Sequence, residues 1–267
     1  MKKLILLSIL LIVGCEDDES EFSFSDMPKQ ITVFGIKVVA KENVPDAKVI
    51  HAANVLAQYL DNDSDGSADN QDVVDKLVTE NATLIMMNSE EDMESFDWDS
   101  VPDNVGAQDL FGFETHPDFN PDDAYEPFDA TLEEVLHLIS QKGYAEVYPD
   151  IFGEAIGSSI ANAMDVARGG QFTKVPSDYP PDAFYTYDDE SCDYGCMVTE
   201  YFYWSLTSIL GAQKNRGSVI SWEWQLYTKA LVMEKDAAVY SLLTDPEYNF
   251  PVTLPDGNYT GFPISLN

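Results

Sequence analysis

The chain has 267 residues, and its 48 Asp and Glu against 14 Lys and Arg give a formal net charge of −34. Such a charge excludes nucleic acid as a partner, because the phosphate backbone would be repelled, and it suits the binding of divalent cations. With 45% apolar and 12% aromatic residues the chain can bury a sizeable core, which excludes an acidic disordered protein.

The first residues have the composition of a secretory leader. Lys2 and Lys3 precede the apolar run LILLSILLIV, which is too short for a comfortable membrane span. The following LIVGC, which ends at Cys15, resembles the lipobox of bacterial lipoproteins, in which the Cys is acylated and becomes the first mature residue. The resemblance implies a signal peptide over residues 1–14, lipidation of Cys15 and an extracytoplasmic protein anchored to a bacterial membrane. An ordinary cleaved leader with a chance Cys is the alternative.

An acidic stretch without periodicity follows the leader and predicts a tether over residues 15–29. The remainder, 30–267, contains no internal repeat and no later linker. We therefore expect one helix-rich α+β domain with a small sheet near its N-terminus.

The first part of this domain alternates strands and helices. β-branched residues predict a strand over 30–40, and the run ATLIMMN predicts another over 82–88. Between them, apolar residues at helical spacing predict helices over 44–60 and 70–81. The expected order is strand, helix, acidic loop, helix, strand.

The loop between these helices, DNDSDGSADNQD, has the spacing of a calcium site. Counted from its first Asp, it has carboxylates at positions 1, 3, 5, 9 and 12, with a Gly at 6 for the sharp turn. This pattern resembles the EF-hand. Most EF-hands have Glu at position 12, and the Asp at that position here resembles dockerin loops. We expect Ca²⁺ to act as a structural staple, and a solvated acidic turn is the alternative. The expected ligands are Asp61, Asp63, Asp65, Ser67, Asp69 and Asp72.

Proline and aromatic residues predict long irregular structure over 95–130, and a second such segment covers 175–195. The rest of the chain is predicted to be mainly helical. The expected helices cover 131–142, 151–168, 197–214 and 218–243.

The first of these later helices contains the segment TLEEVLHL, in which Glu133 and His137 are four residues apart and share one face. The segment resembles the His-Glu-x-x-His helix of the zincin metallopeptidases, with Glu133 where the first His belongs. The preceding order of elements resembles zincin N-terminal layouts. Downstream, MVTEYFYW resembles the helix that supplies a Glu as third ligand, here Glu200. The resemblance implies a Zn²⁺ site of Glu133, His137 and Glu200, with Glu134 as the catalytic base.

Two functions are therefore expected from the residues. In the first, the chain is a lipid-anchored calcium-binding protein with a zincin-like domain that is either active or inactive. In the second, it is a non-enzymatic acidic surface module that binds a protein or polymer partner and is stabilised by calcium. Under the second reading, Thr131 and Glu134 form a capping box, His137 is a half-buried structural residue and Glu200 is solvated.

The remaining cysteines and histidines suggest structural roles. Cys192 and Cys196 are predicted to form a disulfide, because nearby thiols outside the cytosol most often pair and no second Cys pair completes a zinc site. His51 is expected to be a satisfied core histidine. His116, in the first irregular segment, is a further candidate ligand or acid.

Overall fold

A computed structural model of the chain describes Phe24, residues 27–123 and residues 127–266. The expected signal peptide and the expected lipidation site, Cys15, lie outside these residues. Within them the protein is a mixed α and β structure with one four-stranded sheet, so the expected α+β class is confirmed. Across the same ranges, the structure contains no helix whose length and apolar character would let it cross a membrane.

The sheet has the strand order β1-β2-β3-β4. Strands β1 and β2 are antiparallel, and β2, β3 and β4 run parallel to one another. This places β4 at one edge of the sheet, after a crossover from β3. The strands are β1 (Lys29–Val33), β2 (Ile36–Ala40), β3 (Thr83–Met87) and β4 (Ala107–Phe111).

The single strand predicted over 30–40 is wrong, because a hairpin turn divides it. Phe34 has φ +50° and Gly35 has φ +88°, a conformation that glycine adopts without strain. A Cβ at Gly35 would also lie 2.8 Å from the Val78 side chain. The turn therefore brings β2 back along β1. The helix that carries Val78 packs against this turn.

The segment predicted to be irregular over 95–130 contains β4, which the sequence did not indicate. Its sequence, AQDLF, has no β-branched residue, and only Leu110 is buried. Pairing with β3 at Ile85 and Asp109 holds it as a strand. Tertiary pairing therefore overrides weak local preference.

The helices predicted over 44–60 and 70–81 are confirmed as α1 and α2, but the later boundaries differ. The helix predicted over 218–243 is wrong: this region forms α9, α10 and α11, with Asp236 capping the last of them through the Val239 N–H. A π-helical turn at Ser140–Tyr144 continues α4 into α5. The helices are α1 (Asp46–Leu60), α2 (Gln71–Thr79), α3 (Glu90–Glu94), α4 (Thr131–Ile139), α5 (Ala145–Val147), α6 (Pro149–Phe152), α7 (Ser159–Ala167), α8 (Tyr194–Leu210), α9 (Gly217–Ile220), α10 (Lys229–Lys235) and α11 (Ala237–Leu243).

One hydrophobic cluster extends from Ile31 to Tyr259 and joins the sheet to the helices. Helix α4 is central to it, because it contacts β4 on one side and α8 on another. A smaller cluster on Val39 and Ile85 includes Phe24 and Met27. The tether predicted over 15–29 therefore extends too far, since Phe24 and Met27 are buried and β1 begins at Lys29.

The C-terminal segment, residues 244–266, returns to the acidic loop. The Asn62 side chain accepts hydrogen bonds from the backbone N–H groups of Val252 (3.0 Å) and Thr253 (2.9 Å) and donates to the Thr253 carbonyl (2.8 Å). The Gln58 side chain also accepts from the Gly257 N–H at 2.7 Å. Gln58 near the end of α1 and Asn62 just after it thus hold the backbone of this segment by side-chain hydrogen bonds.

We expect Asn62→Ala to lower the free energy of unfolding by about 1–3 kcal/mol, because the tail loses its hydrogen bonds at this side chain. Amide hydrogen exchange at Val252 and Thr253 should accelerate, while exchange in the sheet should not. Gln71→Ala is the control, since the Gln71 side chain is exposed and bonds only locally to Asp75. Equal exchange of the Val252 and Thr253 amides in both variants would contradict this account of the tail.

Candidate metal centre

The packing of α4 against α8 brings three predicted site residues together. Glu133 and His137 lie one turn apart on α4, and Glu200 lies on α8. Each offers one ligand atom that is within 4.8 Å of the other two. The helical spacing on α4 and the contact between the two helices therefore create one shared cluster, which we call the α4–α8 cluster.

His137 is the centre of the α4–α8 cluster. Its side chain is buried, with Nε2 3.7 Å from Glu200 Oε2 and Nδ1 3.5 Å from Glu134 Oε2. Nε2 is inaccessible and has no hydrogen-bond partner among the residues that the structure describes. Buried polar atoms in folded proteins are nearly always paired, so an orphaned imidazole nitrogen between carboxylates indicates an atom that is available to a ligand.

The electrostatics of the α4–α8 cluster favour a positive charge at its centre. Burial alone would lower the pKa of the His137 imidazole, but the surrounding carboxylates, that of Glu200 first, raise it to about 10. Burial and the charge of Glu200 raise the pKa of Glu133 to about 8. Burial also raises the pKa of Glu200, and His137 opposes that shift. The carboxylates thus stabilise a cation in this space, whether a proton or a metal ion.

Glu134 lies beside the three clustered residues and faces the sheet edge. Its Oε2 accepts a hydrogen bond from Gln108 Nε2 on β4 at 2.6 Å. Burial, and then the charge of Glu134, raise the pKa values of Asp109 and Glu114 nearby. The sequence did not indicate Gln108, because its role depends on a strand that was not predicted.

Two tyrosines complete the walls around the carboxylates. The Tyr187 hydroxyl donates to Glu200 Oε1 at 3.3 Å, and the Tyr203 ring meets the His137 ring edge-on at 5.7 Å. Tyr187 also lines an open cleft of about 690 Å³, whose walls include Asp188 and the largely exposed Trp222. The second irregular segment thus forms a surface that reaches the α4–α8 cluster.

The capping box predicted at Thr131 and Glu134 is wrong. Within the described part of the chain the Thr131 hydroxyl has no hydrogen-bond partner, and Asp129 accepts from the Thr131 N–H at 3.3 Å instead. Asp129 also pairs with His51 Nε2 at 2.7 Å and accepts from the His116 backbone N–H at 2.9 Å. His51 is therefore a satisfied core histidine, and His116 lies outside the α4–α8 cluster.

The acidic loop brings Asp61, Asp63 and Asp65 together, with one oxygen of each within 4.8 Å of the others. Asp61 is fully buried, and its Oδ2 accepts from the Gly66 N–H at 2.8 Å and from the Tyr259 hydroxyl at 2.5 Å. Gly66 has φ +91°, which permits the sharp turn expected at this position.

The remaining expected calcium ligands lie around this group. The Ser67 N–H donates to Asp65 Oδ1 at 2.8 Å, and Asp69 Oδ2 accepts from the Asn62 N–H at 2.7 Å. Burial and then the nearby Asp residues raise the pKa of Asp69. Asp72 is exposed in the first turn of α2 and lies outside the converging group. The loop therefore gathers three of the six expected ligands.

In the structure, Cys192 and Cys196 form a disulfide with a Cα–Cα distance of 5.4 Å. Asp193 lies between them and caps α8 by accepting from the Cys196 N–H at 3.0 Å. The bond therefore lies at the start of the helix that carries Glu200.

Comparison with known proteins does not place the chain in a family. No family model matches it, and neither the curated proteins nor the solved structures contain a match.

We predict that Ca²⁺ raises the melting temperature of the protein through the acidic loop. A ligand that binds only the native state stabilises by RT ln(1 + [L]/Kd), about 2.7 kcal/mol at a hundredfold excess over Kd. The double variant Asp63→Asn with Asp65→Asn should lose this gain, because it removes two charges from the group.

Asp75→Asn is the matched control, because it removes an exposed carboxylate on α2 outside the loop. The melting temperatures of the unaltered protein and of both variants are measured in EDTA and in excess Ca²⁺. A melting temperature of the unaltered protein that is the same in both conditions would rule out a calcium site here.

Proposed function

We propose that the protein is an exported, lipid-anchored metallohydrolase of zincin type, with Zn²⁺ bound in the α4–α8 cluster and Ca²⁺ in the acidic loop. The observation that carries the proposal is the orphaned, buried Nε2 of His137, which lies 3.7 Å from Glu200 Oε2. The expected role of Glu133 as a ligand in place of histidine is part of the proposal.

The donor set suits zinc. Zn²⁺ accepts imidazole nitrogen and carboxylate oxygen at about 2.0–2.2 Å, so tetrahedral ligand atoms lie roughly 3.3–3.6 Å apart. The ligand atoms of Glu133, His137 and Glu200 lie within 4.8 Å of one another, so small side-chain movements would close them around an ion. The mixed nitrogen and oxygen set favours Zn²⁺ over Ca²⁺.

Hydrolysis would need a base beside the ion, and Glu134 lies next to the proposed ligand His137. When bound, zinc would supply an acidified water molecule. Gln108 fixes one carboxylate oxygen of Glu134 by its hydrogen bond to Oε2, which leaves Oε1 to take a proton. Glu134 would then act as general base and return the proton to the leaving group.

The surroundings fit an extended peptide as substrate. β4 is an edge strand, and an edge strand can pair with an extended peptide through its backbone groups. Gln108 on this strand contacts Glu134, so such a peptide would lie close to the base. The net charge of −34 and the aromatic and acidic cleft at Trp222 and Asp188 favour substrates with basic residues.

A second candidate function is a non-enzymatic acidic surface module stabilised by calcium. The charge balance of the α4–α8 cluster favours it, because a protonated His137 would satisfy the nearby carboxylates without a metal ion. On this alternative His137 is an internal ion-pair partner. A protein or polymer ligand would then bind elsewhere on the surface.

Zinc analysis of the dialysed protein separates these two functions. We expect about one Zn²⁺ per chain. The His137→Ala variant should not retain this ion, because the substitution removes the only nitrogen ligand of the proposed set. His116→Ala is the matched control, since His116 lies outside the α4–α8 cluster. Zinc that is absent from the unaltered protein, or that is retained by His137→Ala, would overturn the zinc proposal.

Peptide hydrolysis by the zinc-loaded protein tests the role of Glu134. Glu134→Gln should retain zinc but lower kcat by a factor of about 10²–10⁴, the usual contribution of a general base. A basic peptide is the first substrate to assay. Unchanged kcat in a variant that still binds zinc would contradict the assignment of Glu134 as base.

The membrane anchor is tested separately. We predict that a labelled fatty acid enters the expressed full chain at Cys15 and that Cys15→Ser abolishes the label. Cys192→Ser with Cys196→Ser is the control, because these residues lie in the folded domain. Label that persists in Cys15→Ser would show that the lipid is attached elsewhere or that the expected lipobox is not used.

A further inference from the structure

Tyr203 lies where it can act on Glu133. It follows Glu200 by three residues on α8, so the two side chains share one face of the helix. Its hydroxyl contacts the Glu133 carboxylate, and its ring lies edge-on to His137 with centroids 5.7 Å apart. α8 thus brings one carboxylate and one hydroxyl to the α4–α8 cluster.

Gln213 determines the direction of the Tyr203 hydroxyl. Gln213 is fully buried, and its Nε2 donates to Tyr203 Oη at 3.2 Å and to Thr207 Oγ1 at 3.0 Å. An amide NH₂ group can only donate, so the Tyr203 oxygen is the acceptor in this bond. The single O–H of Tyr203 is then free to donate to Glu133.

Arg216 determines which end of the Gln213 amide faces Tyr203. Its Nη1 donates to Gln213 Oε1 at 2.5 Å, and a guanidinium has no acceptor. The carbonyl of Gln213 must therefore face Arg216, and the NH₂ group must face Tyr203. Arg216 is itself held over the Phe128 ring, 3.9 Å from its centroid. Donor and acceptor roles are thus determined from Arg216 through Gln213 to Tyr203.

We infer that Tyr203 is a positioning residue that holds Glu133 as an oxygen ligand, with Gln213 and Arg216 setting its hydrogen-bond direction. This inference rests on the proposed zinc site. The charge of Glu200 opposes a second negative charge at Glu133, so an ionised Glu133 ligand would need a restraint to stay beside the ion. A hydrogen bond from Tyr203 to one carboxylate oxygen restrains it and leaves the other oxygen for the ion.

Zinc affinity of Tyr203→Phe tests the inference. The variant keeps the ring beside His137 and removes only the hydroxyl, and we expect zinc Kd to rise by about 10–100-fold, as for other residues that orient metal ligands. Tyr201→Phe is the matched control, because it removes a buried hydroxyl of α8 that bonds Asp236 instead. Its Kd should stay within about twofold of the unaltered protein. Competition with a chromophoric chelator measures each Kd.

A variant of Glu133 shows whether Tyr203 acts through that residue. In the Glu133→Gln background, Tyr203→Phe should change zinc Kd by less than about twofold, because the carboxylate that it holds is gone. Gln213→Leu should weaken binding in the same direction as Tyr203→Phe, which covers the case in which the tyrosine variant folds poorly.

The outcomes separate the two claims. If the unaltered protein binds zinc and Tyr203→Phe binds it equally well, the inference fails and the proposed zinc site stands. An equal loss of affinity in Tyr203→Phe and Tyr201→Phe would also overturn it, since any buried hydroxyl would then have the same effect. If the unaltered protein binds no zinc, the proposed function and this inference fail together.

Discussion

The structure depends on the burial of one imidazole among three carboxylates. Removing these groups from water is costly, and their mutual repulsion is reduced by a positive charge between them or by protonation of a carboxylate. His137 supplies the place for that charge, as a proton carrier or as a metal ligand. α4 lies between the sheet edge and α8, and each neighbour contributes a polar partner to it: Gln108 on β4 to Glu134, and Glu200 on α8 to His137.

The acidic loop also contains a buried carboxylate that is compensated by its neighbours. Asp61 is fully buried, and its hydrogen bonds come from the loop itself and from Tyr259 in the C-terminal segment. That segment also packs Gly257 tightly against His51, which pairs with Asp129 immediately before α4. A continuous set of contacts therefore joins the loop to the start of α4, so the acidic loop and the α4–α8 cluster share one structural frame.

Local spacing made part of this structure predictable. The helices α1 and α2, the strand β3 and the pair Glu133 and His137 follow from periodicity and spacing, which act over a few residues. Glu200 was expected only from the resemblance of its segment to a zincin helix, and its approach to His137 depends on the packing of α8 against α4. The hairpin at Gly35, the edge strand β4 and the breaks between α9, α10 and α11 depend on backbone conformation and pairing across the fold. Gln108 and Tyr203 escaped prediction for that reason: nothing in their neighbouring sequence indicates the carboxylates they contact.

The position of β4 at an edge of the sheet has a consequence for the proposed membrane anchoring. Chains anchored side by side in the proposed manner would meet one another at high local density, and edge strands can pair with one another. Asp109 and Glu114 lie along or just after this strand, and the whole chain carries −34 charges. Two such edges would repel each other, whereas a cationic peptide would be attracted. Charge can thus keep crowded copies apart while the same edge stays accessible to a ligand of opposite sign.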